Sequence, residues 1–132
     1  MGLNAFNKTE LDYYKTDAKA RWGGTKAYQQ YEKKAAGRSD FEDKEIADRF
    51  MALFAELGGL QHLSPSAKEV QEKIAGLQEF ITENYYTCTD EILSGLGQMY
   101  VADERFKRNI DKTGGEGTAA FVSQAISEYC AR

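Results

Sequence analysis

The chain has 132 residues, room for one domain with a self-supporting core, and its 42% hydrophobic content argues against disorder. A net charge of −4 does not advertise binding to a phosphate backbone, so any DNA contact belongs to another segment. No apolar run approaches a membrane span and the start at Met1 opens no signal peptide, which makes the cytoplasm the expected compartment.

A single proline, Pro65, leaves long helices permitted almost everywhere, and the apolar spacing is helical throughout. Lys8 to Trp22 reads as a charged helix with Leu11, Tyr14 and Ala18 on one stripe, stopped by Gly23-Gly24. Thr25 is a good N-cap for a second helix through about Ala36, carrying Tyr28 and Tyr31 at i, i+3. Ser39 to Glu42 forms a capping box, and the helix it opens sets Ile46, Phe50, Leu53, Phe54 and Leu57 on one face. Gly58-Gly59 ends it, and His62 sits in the loop beyond.

Ser64-Pro65 is expected to open the next helix, because proline is harmless in a first turn. Val70, Ile74, Leu77, Ile81 and Tyr85 give it a continuous stripe. Thr87 to Asp90 offers a cap for a helix with Ile92, Leu93, Leu96, Met99 and Tyr100. Asp103 caps a short segment turning Phe106 and Ile110 inward, and Gly114, Gly115 and Gly117 break the chain again. The last helix uses Phe121, Val122, Ala125, Ile126 and Tyr129. The expected fold is therefore all-α, six or seven helices in a single domain over residues 1–132. Residues 1–36 are polar and tyrosine-rich, and should form the most mobile part; residues 37–132 form the helical core.

Little here resembles catalytic machinery. Cys88 and Cys130 are far apart in sequence; free thiols are the simpler reading, with a disulfide between them left open. The lone histidine builds no zinc site, and a loop histidine is a poor haem ligand, so neither metal nor cofactor is expected. Asp103 and Glu104 are sequence neighbours whose side chains diverge on a helix, so Asp103 reads as a cap, Arg105 as a residue placed to pair with a carboxylate, and Phe106 as packing. Cys88 near a helix start has the position of a reactive thiol, but Asp90 and Glu91 oppose thiolate formation. Trp22, Tyr28, Tyr85, Tyr86 and Tyr100 each join a large apolar body to a polar tip, which suits a cleft for a bulky ligand. Half-buried tyrosines with hydroxyls in water are the plain alternative for each.

The run Gly97-Gln98-Met99-Tyr100-Val101-Ala102-Asp103-Glu104-Arg105-Phe106, continued to Asn109-Ile110-Asp111, resembles a signature of the TipAS family. These are thiopeptide-recognition domains at the C-termini of MerR-type transcriptional regulators. Arg21 to Tyr28 and Phe121 to Tyr129 extend the resemblance from about Asp17 to Cys130. It implies a globin-like helical fold, a mobile front segment that closes over the ligand, and a non-enzymatic, antibiotic- or multidrug-binding effector domain coupled to transcription activation. In the family's thiopeptide-binding prototype, a cysteine in the helix before the Met-Tyr-Val segment captures the drug covalently. Gly95 occupies that position here and Cys88 matches another family cysteine, so the resemblance implies non-covalent binding.

The ligand-facing set it implies is Trp22, Tyr28, Tyr85, Tyr86, Cys88, Gly95 and Tyr100. The implied partner is a small-molecule drug or antibiotic, with no membrane contact and DNA reached only through an upstream domain absent here. The full-length protein would be a homodimer and this fragment a monomer. Two other roles stay open at this point: a free-standing drug-sequestering resistance protein, and a helical protein-interaction module. An enzyme using Cys88 as nucleophile would be betrayed by loss of activity on thiol alkylation.

Overall fold

The computed structural model describes residues 25–132, and every regular element among them is helical. The expected helix over Lys8–Trp22, its glycine stop and Trp22 itself lie outside the described residues. Six helices follow in order: α1 Lys26–Ala35, α2 Asp40–Gly58, α3 Lys68–Asn84, α4 Asp90–Ala102, α5 Glu104–Gly114 and α6 Thr118–Cys130.

Four of these starts are fixed by the side chains expected to cap them. Thr25 Oγ1 accepts from Tyr28 N at 3.1 Å, and Thr89 Oγ1 accepts from Ile92 N at 3.2 Å. Ser39 and Glu42 close a full capping box, each side chain accepting the other's backbone N–H at 3.1 Å. Helix α3 departs from expectation by starting at Lys68, not at Ser64-Pro65. Ser64 Oγ accepts from Ser66 N at 3.2 Å and Ala67 N donates to Ser64 O at 3.0 Å, so the proline spends its fixed φ on a turn. Ala67 then precedes the helix with no side-chain cap.

Asp103 is the most heavily used cap. Its Oδ1 accepts from Arg105 N at 2.9 Å, while Arg105 Nε and Nη2 reach the same carboxylate at 3.1 and 2.8 Å. Those bonds from Arg105 hold the Asp103 carboxyl at about 2, below its ordinary 3.8. Because the folded value is the lower one, the contribution is complete above about pH 4 and fades as pH falls toward 2. Asp103→Ala is expected to cost about 1–2 kcal/mol at neutral pH. Urea unfolding of parent and variant should show that gap at pH 7 and a much smaller one at pH 2.5.

The core lies where α2 meets α3, α5 and α6, and where α4 packs along α6. Val70, Ile74, Leu77 and Ile81 are all buried, the stripe expected for α3. On α2 the buried set is Ile46, Ala47, Met51, Phe54 and Leu57, while Phe50 and Leu53 are only half-buried. A helix flanked by three neighbours buries a wider arc than one stripe, which brings Ala47 and Met51 inside. Helices α4 and α6 approach closely at Gly97, where a Cβ would stand 3.1 Å from Ile126 Cγ2. Helices α2 and α5 meet more closely still. A Cβ on Gly58 would overlap the Gly114 carbonyl oxygen, and one on Gly114 would lie 2.8 Å from Phe54 O.

Candidate ligand-binding site

Three of the residues singled out by the sequence, Tyr85, Tyr86 and Cys88, lie on the link between α3 and α4. Helix α3 ends because Tyr85 N and Tyr86 N both donate to Ile81 O, at 2.8 and 3.1 Å, which turns the chain out of the helix. Cys88 N then donates to Thr82 Oγ1 at 3.1 Å, pulling the segment back onto the helix it has just left. From the other side Thr87 N donates to Gln30 Oε1 of α1 at 2.8 Å. Arg38 Nη2, just past α1, donates to Asn84 O at 2.7 Å. The link is thus tied to α3 through Thr82 and to α1 through Gln30, while Arg38 anchors the last residue of α3.

Aromatic rings run through this point from the edge of the molecule to its centre. Tyr28 meets Tyr31 at 5.4 Å between centroids, Tyr31 meets Tyr85 at 6.0 Å, and Tyr85 meets Phe50 edge-on at 5.8 Å. Phe50 continues to Phe54 at 5.1 Å, Phe54 to Tyr100 at 5.3 Å, and Tyr100 to Phe106 at 6.2 Å. Phe80 stacks flat on Phe50 at 5.9 Å with Arg49 on its ring. Such pairs add stability beyond the area they bury.

Burial graded along this path sets the electrostatics. Tyr28 is half-buried and its hydroxyl is raised, mostly by burial and then by Glu32. Burial also raises Tyr85, helped by Tyr31 and Asp43 and opposed by Arg38, and it raises Tyr86 with help from Cys88. Tyr100 is only 2% exposed and is raised well above the ordinary range, by burial and then by Tyr86, Cys88 and Tyr85. The same influences show that Tyr85, Tyr86, Cys88 and Tyr100 share one neighbourhood. All four hydroxyl and thiol groups stay protonated at neutral pH, so the site carries donors and acceptors without charge.

Cys88 is buried and its thiol is pushed up to about 11, by burial first and by Cys130 and Asp90 after it. Both cysteines are free thiols. A thiol so placed is a poor nucleophile, which weighs against a covalent role. Alkylation of Cys88 by iodoacetamide at pH 7.5 should run about a hundredfold slower in the folded chain than in guanidinium, with peptide mass mapping as the measure.

Gly95 stands apart from this group. It is exposed on the side of α4 opposite Leu93, Gly97 and Tyr100, and a Cβ there would meet nothing within 4 Å. His62 is exposed in the turn after α2, and no group of three metal-ligating side chains occurs among the described residues. No helix among them is long and apolar enough to cross a membrane. Tyr31 and Phe50, read from the sequence only as helix-face residues, belong to the aromatic path, and Phe80 joins them. For Tyr31 the available signal was its i, i+3 spacing from Tyr28.

Comparison with known proteins bears on this arrangement directly. The pattern of the TipAS antibiotic-recognition domain matches residues 14–129. The HTH-type transcriptional activator TipA of Streptomyces coelicolor is 35% identical over 141 aligned positions, covering 96% of this chain and 53% of TipA; the Streptomyces lividans protein gives the same figures. The HTH-type transcriptional activator mta of Bacillus subtilis is 31% identical over 107 residues, 81% of this chain and 41% of mta. The chain thus spans about half the length of the curated relatives it matches. The solved structure of Streptomyces lividans TipAS in complex with nosiheptide, a study of a thiopeptide antibiotic resistance system, superposes with a TM-score of 0.74. That structure is 31% identical, and the match covers 96% of this chain and 87% of the other.

Proposed function

Since the chain belongs to the TipAS antibiotic-recognition domain family, a family of recognition domains and not of enzymes, we propose that it binds a bulky, largely apolar antibiotic without forming a covalent bond. The observation that carries this reading is a family match reaching from residue 14 to residue 129, through every described helix. Trp22, Tyr28, Tyr85, Tyr86, Cys88, Gly95 and Tyr100 are the proposed ligand-facing set. Supporting it, Tyr28 and Tyr31 of α1 and Tyr85 of the α3–α4 link lie along one aromatic path, with Tyr86 beside Tyr85 in sequence and its hydroxyl likewise uncharged. Ring faces supply apolar area at about 25 cal/mol per Å² before ordering costs, and the hydroxyls orient the guest. The raised Cys88 thiol and the glycine at position 95 favour a reversible complex.

The proposed output is that of a MerR-type transcriptional activator, in which this domain is the effector sensor. DNA contact and dimerisation would belong to an upstream domain. In the same reading the bundle is a globin-like frame and residues 1–36 act as the closing element. The tie of α1 to the site through Gln30 and Tyr31 supports that, since a guest at Tyr85 would sense α1 directly.

Nosiheptide and a panel of hydrophobic drugs, tested by thermal shift, calorimetry and intact mass, decide the matter. The expected result is saturable heat and a stabilisation of about 2.7 kcal/mol at a hundredfold excess over Kd, with no added mass after denaturation. No thermal shift and no heat with any compound would sink the reading; an added drug mass would sink its non-covalent half.

A further inference from the structure

Gln78, on α3, lies outside the aromatic path, yet its amide uses every polar group it has on the frame of the site. Nε2 donates to Cys88 O and to Asp90 Oδ1, both at 2.9 Å. Oε1 accepts from Tyr129 OH, also at 2.9 Å. One side chain of α3 therefore grips the site-bearing link, the first residue of α4 and the last turn of α6. Arg132 extends the grip, with Nη1 3.2 Å from Asp90 Oδ2 and its guanidinium 3.7 Å over the Tyr129 ring.

The amide has only one sensible orientation. Turned over, its oxygen would face a carbonyl and a carboxylate, two acceptors with no proton between them. Neither leucine, without donors, nor glutamate, with a negative charge toward Asp90, can take its place. The Tyr85–Cys88 stretch depends on such outside support, because Cys88 has its N–H held by Thr82 and its carbonyl held by Gln78.

We propose that Gln78 is a positioning residue for ligand binding: by joining Cys88 O, Asp90 and Tyr129 OH, it sets where Tyr85 and Tyr86 stand and so sets affinity without touching the ligand. The affinity half rests on the reading of Tyr85 and Tyr86 as ligand-facing. The Asp90 carboxyl lies below its ordinary range, foremost because of the Gln78 bond, as a firmly made contact requires. Supporting groups of this kind fix a site's geometry as much as the residues lining it.

The test uses the full chain with Gln78→Glu, Tyr129→Phe and the pair Gln78→Glu with Asp90→Asn. Nosiheptide affinity is read by calorimetry, and amide exchange is followed at Thr87 and Cys88. Gln78→Glu should weaken binding about tenfold and speed exchange at Thr87 and Cys88, while Leu77 and Ile81 keep their protection. Tyr129→Phe, which changes no packing volume, should weaken binding about threefold. Adding Asp90→Asn supplies a donor to the new carboxylate and should regain part of the loss, which general destabilisation would not allow. Unchanged affinity and exchange in Gln78→Glu would overturn the proposal. So would losses that simply follow melting temperature, with no recovery in the double variant. Should the parent chain not bind nosiheptide, the reading of the site fails separately and exchange alone decides. Loosening confined to Thr87 and Cys88 then upholds the grip of Gln78, and its absence refutes it.

Discussion

Gly58→Ala is expected to destabilise the domain by roughly 3 kcal/mol and to lower Tm by about 10 °C. The new methyl would overlap the Gly114 carbonyl oxygen, and backbone cannot swing aside as a flexible side chain can. Relief requires α2 and α5 to separate, which opens gaps beside buried Phe54, Leu57 and Ile110. Glycine normally weakens a helix by up to about 1 kcal/mol against alanine, so propensity alone predicts the opposite sign. Gly76 supplies the control: its Cβ would meet nothing within 4 Å, and Gly76→Ala should be neutral or slightly stabilising. Thermal unfolding of the two variants beside the parent gives the answer. A Gly58→Ala chain melting with the parent would mean that the α2–α5 contact is looser than drawn.

Tyr85→Ala should weaken nosiheptide binding about thirtyfold or more, on the scale of a buried aromatic anchor. The ring meets Tyr31 of α1, Phe50 of α2 and Phe80 of α3, so its loss unlinks three helices at one point. Stability should fall by about 2–3 kcal/mol, less than for a fully buried aromatic because Tyr85 keeps some exposure. Amide exchange should quicken in α1 around Tyr31 more than in α6. Tyr85→Phe keeps the ring and is expected to stay within about threefold of the parent. Calorimetry on both variants separates the ring from the hydroxyl. Equal losses would place the binding energy in the polar tip; no loss in either would remove Tyr85 from the site.

Local physics was legible in the sequence. The caps at Thr25, Ser39, Thr89 and Asp103 and the buried stripe of α3 each depend on residues within a turn or two of one another. The family resemblance was legible too, because its signature crosses the α4–α5 junction in consecutive residues. The rest needed contacts distant in sequence. Gly58 and Gly59 read as a helix stop, which they are, but nothing nearby told that Gly58 faces Gly114 across a helix crossing. Ser64-Pro65 read as a helix start and became a turn, since both roles suit the same dipeptide. Gln78 gave no signal at all: a polar residue beside a buried stripe looks solvent-facing until its three partners arrive from 10, 12 and 51 residues away.

The bare crossing of α2 and α5 has a mechanical consequence. Where Gly58 and Gly114 meet, no rotatable side chain lies between the two backbones, so that end of the bundle behaves as a fixed pivot. Phe50, eight residues earlier and about 12 Å along the same helix, faces its neighbours through rings that can tilt and slide. Stiffness is therefore expected to decline along α2, from the glycine crossing toward Phe50 and the Tyr85 ring packed on it.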